Sequence, residues 1–341
     1  MTNGTAGADG VAGERAQLVN VAYRLLGSLT EAEDAVQDAY ARWYAMPRAR
    51  RAEIRSPGAW LTTVTGRICL DLLGSARARR ERYVGAWLPE PLPDRTEEDR
   101  PASAGPAGAA DPADQIVLDE SVGMAFLVVL ESMTPAERVA FVLHDVFRYP
   151  FAEIGGVLDR TPAACKQLAA SARRRVSGAT GLPDLPGPAH PAHPTGPVRA
   201  PVAVADRTGR TSRTNRTDRA DRADVVRHVK EAWETKDIPA LVGLLDPAAV
   251  MTVDGGGLAS AVLRPVEGGA RIAQYLVALA DKAPGLDIRE RSVNGMPGLV
   301  ALLGGVVVTV AAFDVSDGRA TRIWGFRNPE KLGAWVRPEE A

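Results

Sequence analysis

The chain has 341 residues, 45% of them hydrophobic and 24% charged, and a formal net charge of −1. This length excludes a single small core, and the balanced charge excludes binding to nucleic acid through overall charge, so any DNA-binding surface must be local. The sequence has no apolar run of about 18 residues, the length that would predict a membrane span. Cys69 and Cys165 lie far apart in apolar helical patterns, which favours buried thiols in a reducing compartment over a disulfide or a metal site.

Composition divides the chain into a leader, folded blocks and linkers. Residues 1–13 are rich in Gly, Ala and Thr and lack the charged-then-apolar order of a signal peptide, so we expect a disordered leader. Hydrophobic periodicity marks the folded blocks, and the Pro-rich stretches between them read as linkers. The blocks are predicted over 14–86, 114–177 and 220–338, and the linkers over 87–113 and 178–219.

The second linker is rich in Pro, Gly and Arg and is predicted to be disordered. It ends in a repeat that places arginine at every third position: Arg207, Arg210, Arg213, Arg216, Arg219 and Arg222. An extended polyproline-type chain turns once per three residues, so these arginines would line one edge and could contact DNA phosphate. Interleaved aspartates dilute the charge, which favours a solvated tether.

The first block reads as three helices, each with an apolar stripe at three-four spacing. Thr30 is predicted to start the second helix, because Glu33 lies three residues further on and completes a capping box. Ser56 is predicted to start the third helix, with Pro57 at the first helical position, where a missing N–H group has no cost.

The second block is also helical, and Thr134 with Glu137 predicts a capped helix within it. A short helix from Phe151 to Leu158 is followed by a longer helix that begins at Thr161. Two helices joined by a tight turn are typical of the helix-turn-helix, whose second helix enters the major groove of DNA.

The third block has a different hydrophobic periodicity from the two helical blocks. Two helices come first, and strand-like runs follow, with a further helix from Arg271 to Ala280. Helices followed by mostly antiparallel strands predict an α+β domain. In order and length it resembles the SnoaL-like (NTF2-like) cone, a curved sheet wrapped around helices. The strands are predicted over 250–254, 262–266, 288–293, 299–303, 306–313 and 321–326.

Short motifs in both helical blocks carry a resemblance to a known family. Thr30 to Asp38 and Ser56 to Leu61 resemble region two of an extracytoplasmic-function (ECF) sigma factor, and Met133 to Arg138 and Thr161 to Lys166 resemble region four. Three further signatures resemble the linker, glycine and tail motifs of the SigJ-like group, which has a C-terminal SnoaL-like domain: Trp87-Leu88-Pro89-Glu90-Pro91, Asp254-Gly255-Gly256-Gly257 and Asn328-Pro329-Glu330-Lys331-Leu332.

The resemblance implies a sigma factor, which directs RNA polymerase core to promoters and has no enzymatic activity. It assigns docking on the β and β′ subunits of the polymerase to an exposed polar helix face: Asp34, Gln37 and Asp38. It assigns the −10 element to basic and polar residues of the third helix: Arg67, Asp71, Arg77, Arg79 and Arg80. It assigns the −35 element to the second helix of the helix-turn-helix: Lys166, Gln167, Ser171, Arg173 and Arg174. Lys and Gln pair with base edges, whereas arginines at helix ends hold phosphate.

The resemblance further implies that the third block regulates the other two in place of a separate anti-sigma factor. Its contact surface would comprise Trp87, Pro89, Asp254, Gly255, Gly256, Asn328 and Lys331. No catalytic residue, metal or cofactor is expected, and the expected compartment is the cytoplasm, where promoter DNA and polymerase are found.

Two alternatives remain open. The first is an enzyme whose SnoaL-like domain acts on a small hydrophobic ligand and carries an appended DNA-binding module. Asp254, Asp314 and Tyr275 would be its acid–base candidates, although the scarcity of histidine disfavours it. The second is a repressor that uses the helix-turn-helix alone, which would leave the acidic face around Asp34 without a role.

Overall fold

The structure is a computed structural model that describes residues 14–80, 83–94, 123–180, 211–259 and 261–335. The predicted leader and most of both predicted linkers lie outside these ranges. The described residues form two compact units. Residues 14–79 and 126–180 make up the helical unit, and residues 83–94 and 211–335 make up the C-terminal unit. No helix in the described ranges is long and apolar enough to span a membrane.

The helical unit has two helical blocks, as predicted. The first block contains α1 (Arg15–Leu26), α2 (Leu29–Ala45), α3 (Arg48–Ala52) and α4 (Pro57–Arg80). The second block contains α5 (Met124–Glu131), α6 (Pro135–Phe141), a π-helical turn (Val142–Val146), α7 (Phe151–Leu158) and α8 (Pro162–Thr180).

Local capping chemistry sets most of these helix starts. The Thr134 hydroxyl accepts a hydrogen bond from the Glu137 amide, and the Glu137 carboxylate accepts one from the Thr134 amide, which confirms the predicted capping box. Ser56 and Thr161 likewise accept backbone amides three residues ahead. The predicted start of α2 at Thr30 is wrong. Ser28 caps this helix by accepting the Glu31 amide at 3.4 Å, because the chain reverses one residue earlier at Gly27, whose φ is 73°.

The C-terminal unit is the predicted α+β domain. Its elements are α9 (Thr211–Glu234), α10 (Ile238–Leu244), β1 (Leu245–Asp254), β2 (Val266–Glu267), α11 (Gly269–Lys282), β3 (Leu286–Val293), β4 (Met296–Leu303), β5 (Val306–Ser316) and β6 (Arg319–Phe326). The strands form a six-stranded sheet in the order β2-β1-β6-β5-β4-β3, in which β1 and β6 are parallel and the other neighbours antiparallel. The helices bury apolar residues such as Val229, Leu241 and Ile272 against the sheet.

Two predictions about this unit are wrong. Thr211–Glu234 is a single helix, so the second linker does not extend to 219, and Arg219 and Arg222 are helical rather than extended. The polar start of α9 continues into an amphipathic helix, and nucleation by that packed part favours extension toward the N-terminus. The strand predicted over 262–266 is reduced to Val266–Glu267, which pairs with β1.

Candidate functional site

The face of α2 predicted to dock on polymerase is exposed. Asp34, Gln37 and Asp38 are all exposed, while Ala35, Val36 and Ala39 on the same helix are buried. The i, i+3, i+4 spacing of the three polar residues places them on one side of the helix. This arrangement leaves the carboxylates and the amide available to a polar protein surface.

The predicted −10 readers lie along α4. Arg67 and Asp71 are both exposed and lie four residues apart. The Arg67 guanidinium donates to the Gly156 carbonyl of α7, from Nε at 3.1 Å and from Nη2 at 2.7 Å. The backbone at Arg77, Arg79 and Arg80 continues α4, and their side chains lie outside the part of the chain that the structure describes.

A surface pocket at the start of α4 was missed by the sequence analysis. It has a volume of about 740 Å³ and is lined by residues of α2, α3, α4 and their connections, among them Arg42, Met46, Arg50, Ile54 and Trp60. The Trp60 ring is half-buried and packs against Trp43, with ring centroids 5.3 Å apart. An aromatic wall flanked by arginines suits an unstacked base and its phosphate. The signal available in the sequence was the clustering of Arg48, Arg50 and Arg51 before Trp60.

The structure divides the predicted −35 readers into two groups. Lys166, Gln167 and Arg174 are exposed on α8. Ser171 and Arg173 are instead engaged by other helices of the same block. The Ser171 hydroxyl donates to Glu137 at 2.7 Å, and Arg173 Nε donates to Asp145 at 2.7 Å.

These two contacts hold α8 in place. The side chains of Arg173 and Asp145 are 16% and 15% exposed, so this ion pair is largely shielded from water. Burial of Glu137 disfavours its charged form, but the hydrogen bonds from Ser171 and Thr134 outweigh that effect and lower the pKa of the carboxyl group. The contacts of Ser171 and Arg173 therefore fix the orientation of α8 and of its exposed residues, and their predicted role at the −35 element stays a prediction.

Several of the predicted regulatory residues surround one carboxylate in the C-terminal unit. Asp254, at the end of β1, is fully buried. Its Oδ1 accepts from the Tyr83 hydroxyl at 2.5 Å and from the Gly256 amide at 3.1 Å. Its Oδ2 accepts from the Leu88 amide at 3.0 Å and from Lys331 Nζ at 2.7 Å. We call this set of contacts the Asp254 clasp.

The tail motif completes the clasp. Lys331 also donates to the Leu88 carbonyl, and its ammonium group lies 4.2 Å from the centroid of the Trp87 ring. Asn328 Nδ2 donates to the Tyr83 hydroxyl at 2.9 Å. Burial, followed by the hydrogen bond to Asp254 and its negative charge, raises the pKa of Tyr83, so this hydroxyl keeps the proton that it donates.

The motif needs glycine at two positions because neighbouring atoms approach its backbone too closely for a side chain. A Cβ atom on Gly256, whose φ is 63°, would lie 2.5 Å from the Asn328 amide group. A Cβ atom on Gly255 would lie 2.6 Å from the Ala259 carbonyl oxygen. The turn after β1 can therefore pack against Asn328 only if these positions have no side chain.

A second anchor holds the other end of residues 83–94, which we call the linker segment. The Leu92 amide donates to Asn294 Oδ1 at 3.1 Å, and the Leu92 carbonyl accepts from the Asn294 amide at 2.8 Å. Trp335 Nε1 donates to the Pro91 carbonyl at 2.8 Å. Leu88, Pro89 and Leu92 are buried, so the linker segment is part of the C-terminal unit.

Sequence reasoning missed Tyr83, Asn294 and Trp335. Asn294 was recognisable as the start of an Asn-Gly turn between two strands, and its φ of 52° is the left-handed conformation that such a turn requires. Its second role is to bind the linker segment through its side chain. That role depends on Leu92, which lies 202 residues earlier in the chain.

The interior of the C-terminal unit contains a cavity of about 30 Å³, close to the volume of one water molecule. Its lining is almost entirely apolar, with Tyr275, Thr309 and Arg327 among the polar residues. Ligand sites are usually about 300–1,000 Å³. The hypothesis of an enzyme is also disfavoured because both oxygens of the Asp254 carboxylate accept hydrogen bonds within the clasp. Tyr275 is the acid–base candidate that lines the cavity.

A helix-turn-helix and a second helical block, joined to a separate α+β domain, define the class of a DNA-binding protein with an appended domain. The family model of Sigma-70 region 2 matches residues 11–79, and that of Sigma-70, region 4 matches residues 123–176.

Two curated relatives and one solved structure agree with this class. The chain is 35% identical to the ECF RNA polymerase sigma factor SigJ of Mycobacterium tuberculosis, over 93% of this chain and 90% of SigJ. It is 40% identical to the probable ECF RNA polymerase sigma factor SigI of M. tuberculosis, over 48% of this chain and 51% of SigI. The crystal structure of M. tuberculosis SigJ superposes with a TM-score of 0.67 at 30% identity, covering 96% of this chain and 98% of that one.

The chain therefore belongs to the family of ECF RNA polymerase sigma factors, and its function is promoter-directed initiation of transcription. The family is not enzymatic, and the predicted architecture of region two, region four and a C-terminal SnoaL-like domain is confirmed. We refer below to the first helical block as region two and to the second as region four.

The division of the α8 residues gives a first prediction. Arg173→Ala removes one partner of a shielded ion pair, so it should lower the free energy of unfolding of the helical unit by about 1–3 kcal/mol. Lys166→Ala, at an exposed position, should change that free energy by less than about 0.5 kcal/mol but weaken binding to promoter DNA. Urea unfolding and DNA titration of both variants check this. Equal loss of stability in the two variants would contradict the assignment.

The clasp gives a second prediction. Asp254→Asn keeps the size of the side chain but removes the charge that Lys331 pairs with, at a cost of about 1.5–3 kcal/mol for a hydrogen bond to a charged group. Amides of the linker segment, Leu88 above all, should then exchange with solvent at least about tenfold faster. Hydrogen–deuterium exchange read by mass spectrometry measures this. Asp287→Asn, in an ion pair about half exposed to solvent, is the matched control and should leave these amides unchanged.

Proposed function

We propose that this sigma factor docks on polymerase through α2, reads the −10 element with α4 and its adjoining pocket and the −35 element with α8, and is restrained by its own C-terminal unit. The observation that carries the regulatory part is the Asp254 clasp. It fixes the linker segment, which lies between the two promoter-reading regions in the chain.

The polymerase assignment is supported by the chemistry of the α2 surface. Asp34, Gln37 and Asp38 form an exposed polar face on a helix whose other side is buried in region two. Such a face costs little to expose in the free protein and supplies charged hydrogen bonds to a basic partner surface. The proposed partner surface is formed by the β and β′ subunits.

The −10 assignment is supported by the pocket at Trp60. The non-template strand is read after the duplex opens, so its bases are unstacked and available to an aromatic surface. Trp60 supplies a half-buried ring, and Arg42 and Arg50 supply positive charge at the same pocket. We therefore add these three residues to Arg67 and Asp71 as proposed contacts of the opened strand.

The −35 assignment is narrowed to the exposed residues of α8. Lys166 and Gln167 lie in the first turns of the helix, the part of a recognition helix that meets base edges. Lys pairs with guanine and Gln with adenine acceptor and donor groups, each good pair giving about 1–3 kcal/mol of discrimination. Arg174, further along the helix, is proposed to hold phosphate.

The regulatory role follows from the position of the linker segment in the chain. Residues 81–123 connect region two to region four, and the two regions must separate to span a promoter. Fixing residues 83–94 on the C-terminal unit ties part of this connection to a folded domain. This restraint acts within one chain, so we propose that no separate anti-sigma factor is needed and that the protein works in the cytoplasm alongside polymerase.

The decisive experiment is co-purification with core polymerase followed by sequencing of the bound DNA and run-off transcription from the recovered fragments. Specific start sites on those fragments support the proposal. Failure to join the core, or transcription without specific starts, contradicts it. The fragment with the strongest start serves as the template in the tests below.

A third prediction concerns the α2 face. Asp38→Arg reverses the charge of an exposed residue and should weaken binding to core polymerase by at least about tenfold, which corresponds to about 1.4 kcal/mol, without changing the thermal midpoint of unfolding. Asp38→Glu retains the charge and is the control. Binding is measured by fluorescence anisotropy of labelled protein with purified core. Unchanged affinity of Asp38→Arg for core polymerase would show that docking uses a different surface.

A fourth prediction concerns restraint by the clasp. Because Asp254→Asn frees the linker segment, it should raise run-off transcription at limiting protein by at least about threefold, and Asp287→Asn should leave it unchanged. Both variants are compared after exchange measurements have shown that the linker segment is released in the first and retained in the second. A released segment with unchanged or lower output would contradict a restraining role.

A further inference from the structure

The C-terminal unit binds the linker segment through the backbone of that segment. The amide and carbonyl of Leu88, the carbonyl of Pro91, and the amide and carbonyl of Leu92 all make hydrogen bonds. Their partners all lie within residues 254–335 and are Asp254, Lys331, Trp335 and Asn294. Backbone hydrogen bonds of this kind, combined with buried side chains, are how a protein recognises an extended peptide.

The sequence of the linker segment favours the extended form before it binds. Proline occupies every second position from 89 to 93. Each proline fixes its own φ near about −65° and disfavours the helical conformation of the residue before it. Residues 88–92 are all buried in the bound state. Because the free segment already has restricted backbone angles, ordering it on the C-terminal unit costs less entropy.

The segment lies on the face of the sheet that points away from the interior cavity. Ala311 and Gly325 line that cavity. Their strand neighbours Val310 and Phe326 therefore point to the opposite face, and both are 0% exposed. Asp254 pairs with Phe326 across β1 and β6, so its side chain points to this same face. The clasp thus holds the linker segment at a buried apolar face.

The segment and its binding site are distant in the chain. Residues 95–210, about 116 residues, connect them, and the effective concentration of a tethered segment at its site falls as about the −3/2 power of the tether length. A long connection therefore gives the segment of the same chain a smaller advantage over an identical segment from another chain. A second copy of this chain supplies such a segment.

We infer that this face of the C-terminal unit is a recognition site for an extended, proline-containing segment, and that it binds the linker segment of a second copy as well as its own. The exchanged complex uses the hydrogen bonds already described, because each copy gives one segment and receives one. Exchange of identical elements closes into a two-fold dimer without a new interface. The inference rests on the contacts of the linker segment and is independent of the promoter-reading roles.

The test traps the exchange with single cysteines placed on different chains. Pro93 and Val293 form an antiparallel β-bridge. The Cα atoms of such a pair are about 4.5–5.5 Å apart, within the range of about 4.4–6.8 Å that a disulfide requires. A chain with Pro93→Cys is mixed with a chain with Val293→Cys. They become linked when the segment of the first chain lies on the C-terminal unit of the second, and the double variant shows the same disulfide within one chain.

The mixture of full-length chains is incubated with oxidised glutathione and read on a non-reducing gel, without polymerase or DNA. It should give at least about tenfold more linked dimer than a control mixture in which Leu303→Cys replaces Pro93→Cys. Leu303 is 40% exposed and lies at the opposite end of β4 from the residue that pairs with Val293, so it reports random collision. Each cysteine variant alone controls for reactions with the buried Cys69 and Cys165.

A second experiment needs no added cysteine. Leu88→Asp places a carboxylate beside Asp254, so this variant keeps an intact binding site but has a defective segment. Asp254→Asn has the converse defect. Sedimentation velocity of the two variants together should show a complex with a dissociation constant at least about tenfold lower than that for self-association of either one.

Two results would overturn the inference. The first is a cysteine mixture that gives no more linked dimer than its Leu303→Cys control while the double variant crosslinks within one chain. The second is a mixture of Leu88→Asp and Asp254→Asn that associates no more tightly than the separate variants. Either result would leave the binding of the linker segment within one chain, and the sigma-factor function, intact.

Discussion

The buried carboxylate of Asp254 is the constraint around which the C-terminal unit is organised. A fully buried charge is tolerated only when donors replace the water that it has lost, and Asp254 receives them from Tyr83, Leu88, Gly256 and Lys331. These donors come from three distant parts of the chain. Satisfying one carboxylate therefore brings the linker segment, the glycine turn and the tail together.

This explains why the three C-terminal signatures accompany one another. The aspartate accepts, the glycines after it leave room for Asn328, and the lysine of the tail neutralises the carboxylate while covering Trp87. A buried ion pair adds little net stability compared with apolar packing, but it strongly disfavours arrangements that leave either charge alone. Its contribution here is to specify where the linker segment lies.

The helical unit uses a different kind of contact between its two regions. Buried guanidinium groups on carbonyls and a bridging tyrosine hydroxyl join the regions, and apolar cores lie within each of them. Polar interfaces of this kind resemble those between domains that move relative to one another.

The sequence by itself determined the helices of both regions, the capping box at Thr134, the helix-turn-helix and the α+β class, because these depend on periodicity and on residues three or four apart. It also pointed to the motifs that form the clasp, through their resemblance to a family. Only the tertiary structure decided that Ser171 and Arg173 contact other helices of region four, that Arg67 donates to the Gly156 carbonyl of α7, and that Asn294 binds the linker segment. Each of these outcomes depends on a hydrogen-bond partner in another element, and the periodicity of a single helix or strand contains no information about that partner.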